Sequence, residues 1–278
     1  MLKARILTSL ALGAGFLSAL FFLPDFYWSV LMLGLIAIAF WEWGGMSSMS
    51  KWWQNTYAAA MFLFGLLVVI GNEIGMPALP AQVMFYGILA ATLFWLLFAP
   101  FWLISRFRLR HPLAMALIGI VVIFPSWLAL IGLREVSPWL LLMVMAAVWI
   151  ADSAAYFSGK RFGKHKLAPL ISPGKTWEGV VGACVAVTAY GLILCYSLML
   201  DYWVIVGFFC ITVLSVMGDL LESLVKRQAG VKDSGNLLPG HGGLLDRIDG
   251  LTSSLPLVMF FVYFPAYYLV LESMHVTT

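Results

Sequence analysis

Nine separate stretches of roughly twenty apolar residues recur along this chain, at 6–24, 26–43, 57–74, 83–104, 113–132, 138–159, 179–200, 202–221 and 251–271. A helix rises about 1.5 Å per residue, so about 20 apolar residues span the ~30 Å hydrocarbon layer of a bilayer. That layer holds no water for backbone groups, and a helix satisfies all of its own. The pattern predicts an all-α polytopic membrane protein with about nine transmembrane helices. Composition agrees: 63% of the residues are hydrophobic and 10% are charged, whereas soluble domains are about 45–50% apolar. The chain reads as one integral membrane domain over 1–278, with an N-terminal helical part at 1–135 and a catalytic helical part at 136–278.

Lys and Arg set the direction of insertion, because inner loops are enriched in them. With a cytoplasmic N-terminus and nine alternations, the inner segments hold Lys3, Arg5, Lys51, Arg106, Arg108, Arg110, Lys160, Arg161, Lys164, Lys166, Lys175, Lys226, Arg227, Lys232 and Arg247. These are 15 of the 16 basic residues, and only Arg134 falls outside. A miscounted helix would scramble this asymmetry. The C-terminus is therefore expected outside, with the charged loop before the last span at the cytoplasmic face of the cell's inner membrane. The first apolar run exceeds the ~7–15 residues of a cleaved signal and reads as a membrane helix. Cys184, Cys195 and Cys210 all lie in expected spans without metal-ligand spacing, and read as packing residues.

Five acids and four basic residues lie between residues 219 and 249. Asp219, Glu222, Ser223 and Lys226 are spaced i, i+3, i+4 and i+7, on one face of the eighth helix. A membrane helix tolerates such a stripe where it lines a wet cavity or a protein interior. Then come Arg227, Lys232 and Asp233, the turn Gly240-His241-Gly242-Gly243, and Asp246-Arg247 and Asp249. Carboxylates that can hold a divalent cation, beside Lys and Arg that can hold phosphates, suit a nucleotide–metal site. His241 reads equally as metal ligand, phosphate donor or turn-packing residue. Glycines around it allow backbone N–H groups to approach an anion closely.

Asp152 is a second acid inside a span, 14 residues past Pro138 and about 21 Å along the helix axis. At a cost of about 2.5–3.5 kcal/mol at mid-membrane, an intramembrane Asp is a functional candidate. In the next loop, Gly174-Lys175-Thr176 resembles the end of a phosphate-binding P-loop, but Pro169 stands where that motif needs its first Gly. The segment reads instead as a helix start, with Ser172 as N-cap and Pro173 in the first turn. Lys175 would then stand near a helix N-terminus, a place suited to phosphate.

The string from Ser223 through Lys226-Arg227, Lys232-Asp233, Pro239-Gly240-His241-Gly242-Gly243 and Asp246-Arg247 to Asp249 resembles the signature of phosphatidate cytidylyltransferases, without departure from the pattern. Ser172 to Gly179 and Ala151 to Tyr156 are similar to further landmarks of that family. The resemblance implies transfer of cytidylyl from CTP to phosphatidate with magnesium, in one or two cations, giving CDP-diacylglycerol and pyrophosphate. It implies a homodimer of helical membrane subunits, with membrane lipid and no nucleic acid as partner. On this reading Asp219, Asp246, Lys226 and Lys232 are catalytic, and Asp219, Asp246, Asp152 and Glu222 are metal ligands. Arg227, Lys175, Arg247, Ser223, His241 and Asp233 bind substrate. A CTP-dependent polyprenol or lipid kinase is the rival within enzymes. A cation-coupled transporter is the rival outside them, although charge gathered at one face, without paired repeats, argues against it.

Overall fold

The computed structural model describes residues 13–76, 78–237 and 242–275, with side chains as far as residue 264. Seven of the helices among these residues are long and apolar enough to cross a membrane: α2 (Asp25–Met46), α3 (Lys51–Glu73), α4 (Ala78–Ser105), α5 (Pro112–Val136), α6 (Pro138–Phe162), α7 (Trp177–Leu198) and α8 (Trp203–Ala229). A ten-residue apolar helix, α1 (Gly13–Phe22), precedes them, and a 31-residue helix, α9 (Leu245–His275), follows. The start of the first expected span, with Lys3 and Arg5, lies outside the described residues. So does the turn from 238 to 241, including His241.

α8 continues to Ala229, beyond the expected end at 221, so the whole polar stripe is helical. Hydropathy reports the membrane layer, whereas Glu, Leu, Lys and Arg are all good helix formers and carry the helix past it. α4 contains one wide π-turn at Phe94–Phe98, directly before Pro100. The proline ring would clash with the carbonyl four residues back, and the wider turn gives it room.

The bundle packs α2 on α3 and α5, α6 on α7 and α8, and α8 on α9, while α9 also packs on α4 and α5. Trp43, Trp95, Trp102 and Trp127 are fully buried in it. Each indole N–H donates to a backbone carbonyl: Trp43 to Met115, Trp95 to Thr252, Trp102 to Phe107 and Trp127 to Ser29. In a bilayer such donors need protein partners, and these bonds tie distant helices together. Arg134, the one cation that the expected orientation leaves outside, is buried. Its guanidinium donates to the carbonyls of Leu20 and Leu23, pairs with Asp25 at 2.5 Å and lies 5.0 Å over the Trp28 ring. Fully paired, it acts as a packing element rather than a loop charge.

One expectation fails between α6 and α7. Ser172 is not an N-cap. Ser172–Thr176 is a strand, β2, paired antiparallel with β1 (Lys166–Ala168), so the helices are joined by a short hairpin. The hairpin gives this backbone its hydrogen bonds, and helix formation waits until Trp177. Thr176 is the N-cap, its hydroxyl accepting from Gly179 N–H at 3.2 Å. Gly174 and Lys175 therefore lie in a strand, and no P-loop forms.

Candidate active site

α6, α8, α9 and β2 bring their polar residues to one place. Lys175, at the end of β2, reaches Asp219 on α8 at 2.7 Å, and Ser223 donates to the other oxygen of Asp219 at 3.2 Å. Asp152 on α6 accepts from Ser215 on α8 at 3.1 Å. Asp249 on α9 lies close enough to Asp219, Asp152 and Lys175 to interact with each electrostatically. Small residues permit this approach. A Cβ at Gly218 would stand 2.6 Å from the Ser253 hydroxyl, and one at Gly250 would stand 2.5 Å from the Ser215 hydroxyl. Only glycine there lets α8 and α9 meet closely enough to face Asp219 toward Asp249.

One and two turns further along α8, Glu222 and Lys226 are both buried. The Lys226 ammonium lies 2.5 Å from Asp246 on α9 and 3.3 Å from Glu222. Among the described residues no N–H or hydroxyl donates to the Glu222 oxygens, which face the Asp249 carboxyl, with Asp246 close by. Asp246 is the best-partnered acid of the group. Its second oxygen accepts from the backbone N–H of Ser234 at 2.9 Å, the Ser234 hydroxyl at 3.1 Å and Gly243 N–H at 2.8 Å.

The structure thus brings together Asp152, Asp219, Glu222, Ser223, Lys226, Asp246 and Lys175 of the expected residues. Lys175 stands beside the start of α7, but its charge is directed to an acid on α8. Arg227 is exposed and donates to the carbonyls of Ile171 and Val231 at 3.4 and 3.3 Å. Lys232 and Asp233 are exposed on the loop after α8, and Arg247 is exposed in the first turn of α9.

Three contributors escaped the sequence reading: Asp249, left without a role; Ser234; and Glu42. The buried Glu42 carboxylate, on α2, accepts from the Ser234 hydroxyl and from the backbone N–H groups of Leu244 and Leu245, each at 2.9 Å. The rule that singled out Asp152, an acid inside an apolar stretch, applies equally to Glu42.

Five carboxylates, Asp152, Asp219, Glu222, Asp246 and Asp249, share two ammonium groups, those of Lys175 and Lys226. Among the described residues no three acidic, His or Cys side chains form a ready-made chelating group. Magnesium does not require one, since it is usually held by one or two carboxylates together with substrate phosphates and waters. The excess of negative charge suits a cation.

Fold and site together define a polytopic membrane protein whose helices gather five carboxylates and two lysines in one place. The sequence pattern of the Cytidylyltransferase family matches residues 3–265, and the chain belongs to that family. A phosphatidate cytidylyltransferase of Haemophilus influenzae is 36% identical over 288 residues, covering 95% of this chain and 99% of the relative. One of Pseudomonas aeruginosa is 38% identical over 272 residues, covering 92% of this chain and 95% of the relative. One of Brucella suis is 46% identical over 123 residues, 44% of this chain and 46% of the relative.

Proposed function

We infer that this chain transfers the cytidylyl group of CTP to phosphatidate, forming CDP-diacylglycerol and releasing pyrophosphate. Similarity to enzymes of that name over nearly their whole length carries the reading, and the chemistry of the site supports it. A phosphate monoester has a second pKa near 6, so the attacking phosphatidate oxygen is largely deprotonated at neutral pH. No residue is needed as general base. The obstacle is charge: an anion must approach the α-phosphorus of a polyanion, and pyrophosphate must leave.

Asp219 and Asp246 hold magnesium in this proposal, with Asp152, Glu222 and the neighbouring Asp249 beside them. Magnesium held there, as one or two ions, would offset the negative charge of the phosphates, as in other phosphoryl-type transfers. Lys175 and Lys226 occupy positions on Asp219 and Asp246 and turn to phosphate when substrates bind. Lys232, Arg227 and Arg247, exposed around the site, meet phosphates from the aqueous side, with Ser223, Asp233 and His241 at the nucleotide. Nine crossings, a cytoplasmic N-terminus, an outer C-terminus and a site at the cytoplasmic face of the inner membrane complete the reading. They rest on the distribution of Lys and Arg. A homodimer is part of the proposal through the family resemblance alone.

Isotope transfer tests the reaction. With CTP labelled at the α-phosphorus, label enters the lipid; with γ-label, it leaves in pyrophosphate. Lipid carrying γ-phosphorus would instead establish a CTP-dependent lipid kinase.

A further inference from the structure

We propose that Glu42 is a positioning residue for the reaction, an α2 carboxylate that holds Ser234 and the start of α9 and through them sets the orientation of Asp246. The inference rests on the reading that places Asp246 in the site. Glu42 is 2% exposed and sits in an apolar stretch, where an unpaired charge is costly. Among the described residues its donors are Ser234, Leu244 and Leu245, about two hundred positions along the chain. One oxygen accepts from Leu244 N–H, and the other from Leu245 N–H and the Ser234 hydroxyl. Leu245 opens α9, so Glu42 caps that helix from another part of the chain, satisfying N–H groups with no partner inside the helix.

Ser234 joins the two acids. Its hydroxyl lies 2.9 Å from Glu42 and 3.1 Å from Asp246, and its backbone N–H donates to Asp246. A hydroxyl carries one proton and donates to one acceptor at a time, so the two carboxylates are coupled through it. The turn fits tightly on Glu42. A Cβ at Gly235 would stand 2.5 Å from its carboxylate, and one at Gly243 would stand 2.6 Å from both of its oxygens. Movement of Glu42 must therefore move the segment that donates to Asp246. This contact also links the N-terminal half of the chain to the site, a role that hydropathy does not suggest for α2.

Full-length Glu42→Gln, purified in detergent or lipid nanodiscs, provides the test. The amide keeps the shape but leaves one acceptor oxygen and turns an NH2 toward the donors. Loss of hydrogen bonds to a charged group predicts that kcat falls about 10- to 100-fold, with KM for phosphatidate within about twofold and thermal stability near that of the parent. Ser234→Ala, which removes the hydroxyl link alone, lowers kcat by about 3- to 10-fold. The double variant is no worse than Glu42→Gln, because the residues act along one chain of contacts. A kcat for Glu42→Gln within twofold of the parent, or losses that multiply in the double variant, overturns the proposal. If Glu42→Gln does not accumulate as folded protein, Ser234→Ala decides alone, and unchanged kcat there overturns it. Asp246→Asn separates the two levels. Normal turnover of Asp246→Asn removes the site reading itself, whereas an inactive Asp246→Asn beside a normal Glu42→Gln removes only the role of Glu42.

Discussion

Lys226→Met is the sharpest probe of the site, because it separates what the ammonium does for folding from what it does for chemistry. Lys226 lies between two acids, 2.5 Å from Asp246 and 3.3 Å from Glu222, and its side chain is 11% exposed. Methionine preserves most of the apolar stem, so packing changes little. The acids respond differently. Asp246 keeps three donors from Ser234 and Gly243, whereas Glu222, 5% exposed, has no N–H or hydroxyl donor among the described residues and loses its nearest counter-charge. Removing one partner of a buried pair costs about 3–5 kcal/mol, or a fall of roughly 6–20 °C in the unfolding midpoint for a chain of this size. Turnover should be lost as well. Adding Glu222→Gln should recover most of the stability, since the uncompensated buried charge is gone, while turnover stays lost. Thermal unfolding of the detergent-purified variants and CDP-diacylglycerol formation provide the two readouts. Lys226→Met with parental stability and turnover within threefold would refute the reasoning; recovery of turnover by Glu222→Gln would assign Lys226 a purely structural role.

Two further expectations concern the acids and the membrane. Asp219→Asn keeps the shape of a side chain that meets Lys175 and Ser223, so it should accumulate as folded protein yet lose at least about 100-fold in turnover; near-normal turnover at limiting magnesium excludes Asp219 as a ligand. In a variant lacking Cys184, Cys195 and Cys210, a cysteine beside Gly235 should react with an impermeant thiol reagent only from the cytoplasmic side. One beside Asp201 should react only from the other side, and labelling of both from a single side rules out the nine-crossing topology.

The helices were legible because each is encoded locally, as an apolar run long enough to cross a bilayer. Seven of the expected spans overlap α2 to α8, running past a helix end by two residues at most. Their ends were less legible: α3 starts at Lys51 rather than 57, because Ser50 supplies an N-cap to residues too polar to register as membrane. The hairpin was illegible for a different reason. Strands of three and five residues carry no usable alternation, and what makes Ser172–Thr176 a strand is its pairing with Lys166–Ala168. Taken alone, Ser172 followed by Pro173 is an equally good helix start. The observed cap is Thr176, three residues before Gly179, and nothing local ranks it above Ser172.

For the site, spacing identified the stripe on α8 but not the partners of its members. Lys226 pairs with Asp246, twenty positions along the chain, and Asp219 pairs with Lys175 from the hairpin. Sequence counted these two lysines as phosphate holders; the structure shows both held by acids. The difference matters for mechanism. Each lysine can serve a phosphate only by leaving a carboxylate, and a buried carboxylate such as Glu222 left without its counter-charge is costly. The exchange becomes favourable when a cation arrives at the acids together with the phosphates. Lys175→Met and Lys226→Met should therefore not behave as simple losses of substrate affinity, since each also changes what the acids can bind. In the proposed reaction the five carboxylates and two lysines act as one coupled system, in which lysine gives way to metal as CTP binds.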